Sequence, residues 1–133
     1  MVLPYAASPE ELTAFFRSTC LHLAAGGRFV SVVLNPSFSA FTTNFFIRRI
    51  TRLQDDKVRM EFLDRASGNV EMTMQKHQYT IEEYERAAVR GGMKPESWKK
   101  LFATRDAVEH MGESFWQPRH DHQPYALFIV RKE

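Results

Sequence analysis

Apolar and polar positions divide the chain into short alternating blocks. Ser8-Pro9-Glu10-Glu11 opens the first: a helix N-cap, a proline suited to the first helical position, and a glutamate placed to close a capping box. Leu12, Phe15, Phe16, Thr19, Cys20 and Leu23 then recur at helical spacing and form one stripe. This predicts a helix to about Ala25, stopped by Gly26-Gly27. Arg28 to Leu34 reads as a buried strand ending in Asn35-Pro36, and Met1 to Leu3 as a strand remnant. Strand, helix and strand together predict a unit of a parallel α/β sheet. In such sheets chemistry gathers at the carboxyl ends of the strands, here Leu3 to Ala6 and Leu34 to Pro36.

The period then changes from helical to two. Asn35 to Asn44, rich in Ser, Thr and Phe, reads as a loop, and Phe45 to Leu53 as a strand. Val58, Met60 and Phe62 alternate with Lys57, Arg59 and Glu61, and Val70, Met72 and Met74 with Glu71, Thr73 and Gln75. With Ala66 to Asn69 as the turn, this predicts an antiparallel hairpin set over the sheet edge as a cap. Thr80 to Glu83 repeats the capping box, and a helix is expected to Arg90, before Gly91-Gly92. Pro95 confines the following segment to a short edge strand near Ser97 to Leu101. Thr104 to Met111 predicts one or two helical turns, Gln117 to Pro124 a polar loop, and Tyr125 to Arg131 a central antiparallel last strand.

Composition narrows the function classes. The 133 residues carry 18 Lys+Arg against 16 Asp+Glu, a balance too even to point to nucleic acid. A single cysteine makes no internal disulfide and fits a reducing compartment. No signal-like segment opens the chain, and the run Tyr125 to Val130 is too short to cross a bilayer. A cytoplasmic protein without a membrane partner is the expectation. Aromatic residues make up 13%, with 11 Phe, more apolar bulk than a partial sheet needs for its own core. A homodimer or a partner chain covering an exposed sheet would account for it.

Several residues are candidates for chemistry, and each has a plainer reading. Pro4, Tyr5 and Ala6 follow the first strand, where loops carry function disproportionately. The Asn35 amide could orient an acceptor, although Asn-Pro also simply starts turns. His120 and His122 could serve as a general base; a solvated loop is the plainer reading, and no second pair has metal-ligand spacing. Phe45, Tyr79, Tyr84, Trp98, Phe115 and Trp116 gather near the predicted cap, with Phe45, Tyr79 and Trp116 taken as pocket lining and the others as core. Cys20, on the apolar stripe, reads as an inert thiol. Arg48, Arg49 and Arg52 read as a solvated face.

The segment "VLPYAASPEELTAFFRSTCLHLAAGGRFVSVVLNP" resembles the middle of a class I S-adenosylmethionine-dependent methyltransferase. In that family a strand ends in a short apolar-aromatic loop, a helix follows, and a Leu-x-Pro-Gly-Gly-like turn leads to the next strand. Here the turn is Leu23-Ala24-Ala25-Gly26-Gly27, with Ala25 in place of the usual proline. "YTIEEYERAAVRGGM" is similar to the helix before the family's sixth strand, and "GESFWQPRHDHQPYALFIVRK" to the closing segment of its small-molecule members. The Gly-rich cofactor loop is not matched, since no G-x-G-x-G occurs.

The resemblance therefore implies an α/β fold, a partial Rossmann-like methyltransferase sheet with an antiparallel hairpin cap. Its expected parts are 1–35 as strand-helix-strand, 36–78 as the cap and 79–133 as helix and closing strands. It implies the substrate-side carboxyl-terminal half of an enzyme that methylates a small-molecule acceptor, inactive alone. Pro4, Tyr5 and Ala6 would then lie beside the cofactor's methyl group, while S-adenosylmethionine would be held mainly by residues not in this sequence. Two alternatives stand beside it: a non-enzymatic binding or dimerisation module, and an α+β ligand-binding fold in which Arg28 to Leu34 pairs antiparallel.

Overall fold

The computed structural model describes residues 3–38, 42–45 and 48–133, without the side chains of Pro4 and residues 42–45. The expected strand at Met1 to Leu3 falls largely outside the described residues; Leu3–Tyr5 is a single 3-10 turn. Helix α1 (Pro9–His22) starts as its sequence dictates. Ser8 accepts from the Glu11 amide, and the Glu11 carboxylate accepts from the Ala7 amide. It ends at His22, three residues earlier than expected, with Leu23 as its C-cap. The glycine turn belongs to a sheet contact instead: the Gly26 amide donates to the Lys132 carbonyl, and the Lys132 amide donates to the Gly27 carbonyl. The Lys132 ammonium also donates to the Leu23 carbonyl at 2.8 Å, completing the helix end.

Strand β1 (Arg28–Leu34) leads to β2 (Thr42–Phe45), β3 (Arg48–Arg52), β4 (Lys57–Leu63) and β5 (Val70–His77). These last four form an antiparallel sheet in simple order, so the cap is a four-stranded meander rather than one hairpin. Its register sets Ile50 opposite Met60, and Met60 opposite Met74. One face packs a small core of Leu34, Phe38, Ile50, Val58 and Met60.

Helix α2 (Ile81–Arg90) carries the complete reciprocal capping box of Thr80 and Glu83. Strand β6 (Met93–Lys100), helices α3 (Arg105–Met111) and α4 (Glu113–His122), and strand β7 (Tyr125–Lys132) complete the chain. The main sheet has the order β1-β7-β6, with both pairings antiparallel. The expected direct parallel neighbour of β1 is therefore not seen among the described residues. Instead β1 and β6 run parallel to each other with β7 between them. The α+β alternative foresaw an antiparallel partner for β1, but placed the main sheet in the hairpin, which here is a separate layer.

Two further expectations change. Strand β6 is longer than its sequence suggests. It lies at the sheet edge, where Pro95 is tolerated, and the ladder shifts register between Pro95 and Ser97. The polar loop expected at Gln117 to Pro124 is mostly helix α4. No residue of α4 is buried, and Pro118 lies inside it, so neither an apolar stripe nor a propensity signal marked it. Its turns are held by side chains: Trp116 Nε1 donates to the Ala107 carbonyl, and Gln117 Nε2 to Asp121 Oδ1. The main core lies between β7 and the pair α1 and α2, around Phe16, Tyr84 and Phe128.

Candidate functional site

A cavity of about 250 Å³ lies between the turn at Tyr5–Ala7 and the cap sheet, at the start of β4 and the end of β5. Its lining comprises Tyr5, Ala6, Ala7, Lys57, Gln75, Lys76 and His77. Two supports fix this junction. The buried Tyr79 hydroxyl donates to the Ala6 carbonyl at 2.8 Å, tying the turn to the chain just after β5. The His77 ring packs on Tyr79 with centroids 4.4 Å apart.

The end of β1 is fixed by Asn35. Its Nδ2 donates to the Gln123 carbonyl at 2.8 Å, and its Oδ1 accepts from the Ser37 amide at 2.9 Å. Its carbonyl accepts from the Phe38 amide and from Gln78 Nε2. Both ends of the Asn35 amide are thus engaged within the protein. Gln123, which sequence reasoning missed, sits in the left-handed region at φ 45° and is almost wholly buried. Its side chain compensates for that backbone: Nε2 donates to the His120 carbonyl, and Oε1 accepts from the Leu101 amide.

The structure brings together Tyr5 and Ala6 of the expected site residues, and sets the others apart from the cavity lining. Tyr79 braces the turn from behind. Trp116 packs on its own helical hairpin through Ala107. His120 Nε2 accepts from the Ala103 amide at 3.1 Å, so its lone pair is spent on the backbone. His122 does not line the cavity; the imidazole that does is His77. The roles expected of the Pro4 and Phe45 side chains lie outside the described residues. His77 and Lys76 escaped the sequence reading, although Lys76 continues the alternation Met72, Met74, Lys76, which grows more buried along the strand and where an apolar residue is expected.

Burial raises the Tyr79 phenol to about 12, with the charges of Glu11, Glu83 and Glu10 acting in the same direction. Tyr84 is raised for the same first reason. Above pH 10 an unfolded tyrosine releases its proton while the folded one keeps it. The unfolded state then binds fewer protons, and stability falls as pH rises from 10 through 12. Urea midpoints should therefore drop steeply over that window. Tyr79→Phe should remove part of the drop while costing about 1–2 kcal/mol at neutral pH, because the Ala6 carbonyl loses its partner. An unchanged pH profile in Tyr79→Phe would contradict this placement of the phenol.

The cavity does not by itself fit S-adenosylmethionine. Among the described residues its lining offers two ammonium groups and no carboxylate. The positive sulfonium gains nothing there, and ribose hydroxyls find no acidic partner. Its volume also falls below the roughly 300–1,000 Å³ of ordinary small-molecule sites. Among the described residues no group of three or more His, Cys, Asp or Glu side chains converges on a metal position, and no helix is long and apolar enough to cross a membrane.

No family model and no curated protein matches the sequence. Solved structures do match the fold. An S-adenosylmethionine-dependent methyltransferase from Clostridium acetobutylicum is 15% identical with a TM-score of 0.61; the match covers 98% of this chain and 55% of that one. An amino pentose methyltransferase from Micromonospora echinaspora, solved with S-adenosylmethionine bound, is 17% identical at TM-score 0.56, with 98% and 54% covered. A sugar N-methyltransferase from Streptoalloteichus is 20% identical at 0.52, with 98% and 52% covered. The chain thus spans a little over half the length of these neighbours. Two small antiparallel sheets with helices on one of them, aligned over almost the whole chain, give it the partial fold of a class I S-adenosylmethionine-dependent methyltransferase, consistent with the carboxyl-terminal half.

Proposed function

We propose that this chain is the acceptor-facing part of an S-adenosylmethionine-dependent methyltransferase acting on a small molecule. The observation that supports this most is the match over 98% of the chain at TM-score 0.61. A cavity between the turn before α1 and the cap sheet, with a few charged groups in its lining, accords with it, because ligand sites combine apolar walls with a small number of polar groups. In this reading the cofactor is held mainly by a Gly-rich segment outside these 133 residues. The turn Tyr5–Ala7 borders the reacting region, and the chain alone is inactive. Asn35 and Tyr79 act as positioning residues. His120 and His122 remain candidate bases, with His120 available only if the Ala103 contact opens.

A second reading, a non-enzymatic binding or dimerisation module, draws on the main sheet's uncovered face. Val30 is 52% exposed and Val32 36% on β1, an edge strand of the described sheet. One experiment separates the two. Calorimetry of the purified chain with S-adenosylmethionine should give no measurable binding. Co-expression with the polypeptide encoded directly upstream in its genome should restore it, together with transfer of labelled methyl to an amine-bearing sugar acceptor. Tight one-to-one binding by the chain alone overturns the divided-site reading. A stable homodimer by light scattering, with no Gly-rich strand-turn-helix encoded upstream, favours the module.

A further inference from the structure

The cavity beside Tyr5 contains a charge with no counter-charge. Lys76 is only 8% exposed, although it lies on β5 opposite Val58, on the face that packs the smaller core. Its Nζ lies 3.9 Å from the centroid of the Tyr5 ring. No hydrogen bond or ion pair joins it to another described residue. Cation–π attraction holds the ammonium over the ring, and with no carboxylate among the described lining residues it still gains most from an anion.

Basic side chains dominate the lining, while the Glu11 carboxylate, which accepts from the Ala7 amide, lies next to it. Lys57 and His77 are direct cross-strand partners, and both line the cavity. The cavity lining contains no carboxylate among the described residues. A Lys pair and an imidazole at the mouth of a space of about 250 Å³ suit a compact oxyanion rather than a whole ligand.

We propose that this cavity is an anion subsite, in which the Lys76 ammonium, with Lys57 and His77 beside it, binds a carboxylate or phosphate group. Resting on the methyltransferase reading, it assigns the acceptor to the anionic small molecules: one end is held at Lys76 while the rest extends past the exposed face of Tyr5. The binding itself requires neither cofactor nor turnover, so it stands or falls apart from that reading.

The test is amide NMR of the full chain titrated with inorganic phosphate or with acetate, chloride holding ionic strength constant. Saturable shifts at Tyr5–Ala7 and Gln75–His77 are expected, and whichever anion produces them identifies the group. Lys76→Met, which keeps the length and removes the charge, should weaken that binding about tenfold or more. Lys76→Arg should retain most of it, and Lys57→Gln should lose less than Lys76→Met. Should Lys76→Met perturb the fold, the comparison of Lys76→Arg and Lys57→Gln with wild type carries the test. Shifts that follow ionic strength without saturating, no shifts with either anion, or equal affinity in a folded Lys76→Met each overturn the proposal.

Discussion

Truncating Phe128 to alanine lowers the free energy of unfolding by about 3–5 kcal/mol. The residue sits at the middle of β7, the central strand of the main sheet, with no exposed surface. Its ring stacks on Trp98 of β6 at 4.3 Å and 14°. It meets Phe16 of α1 edge-on at 5.9 Å and Tyr84 of α2 at 6.0 Å. One side chain thus joins a neighbouring strand to both helices. Aromatic contacts of this kind add to area burial, and the rigid rings around the void cannot collapse to fill it. Urea unfolding followed by circular dichroism measures the loss. Leu21→Ala, at a position 76% exposed, is the control and should change stability by less than about 0.5 kcal/mol. A Phe128→Ala loss as small as the control's would mean that β7 is not central to the packing.

The parts of this fold legible in the sequence are those whose determinants are local. The caps at Ser8–Glu11 and Thr80–Glu83 place their bonds within three or four residues, and both helices start where those residues put them; only Thr80–Glu83 closes the reciprocal box, because Glu11 reaches the Ala7 amide instead of that of Ser8. The alternation from Lys57 to Gln75 needs only a period of two, and the paired strands follow it. Pairings fixed by distant residues were not legible. Nothing in Arg28 to Leu34 announces that its ladder partner is Tyr125 to Arg131, almost a hundred residues away. The failure at α4 has another cause: a solvent-facing helix has no stripe, and its holding contacts are side-chain bonds to a neighbouring helix.

The candidate site shows the same division. Tyr5 and Ala6 were expected from a strand-end position, but that strand lies largely outside the described residues and Leu3–Tyr5 is a 3-10 turn. The Tyr79 phenol followed from aromatic content only, and its bond to Ala6 makes it a brace. Lys76 is the instructive miss. A lysine at the inward register of a strand breaks the hydrophobic pattern, and such breaks in local consistency concentrate at functional positions. Without the ladder that sets Lys76 opposite Val58, the break passes for an ordinary charged strand end.

Gly91→Ala should destabilise the protein by about 3 kcal/mol, the upper end for overpacking, although alanine is favoured over glycine wherever the backbone is helical. Gly91 caps α2 with φ −80° and ψ −1°, a conformation that alanine adopts freely, so backbone strain contributes nothing. The cost is steric. An added Cβ would lie 2.5 Å from the Phe16 Cβ, 2.9 Å from the Arg17 nitrogen and 3.0 Å from the Phe16 carbonyl carbon. Two of those three atoms are backbone of α1, so no rotamer change relieves the clash; the helices must part. Separation would strain the contact of Cys20 Sγ with the Gly92 carbonyl and loosen Phe16, a wall of the Phe128 core. Because α1 begins directly after Tyr5–Ala7, the displacement should also lower affinity at the cavity. Gly68→Ala is the informative comparison: its φ of +72° makes alanine costly for backbone reasons, roughly 1–2 kcal/mol, but the space around it is open. Thermal unfolding of the pair separates the two mechanisms. If Gly91→Ala melts at or above the temperature of Gly68→Ala, the close approach of α1 and α2 is wrong.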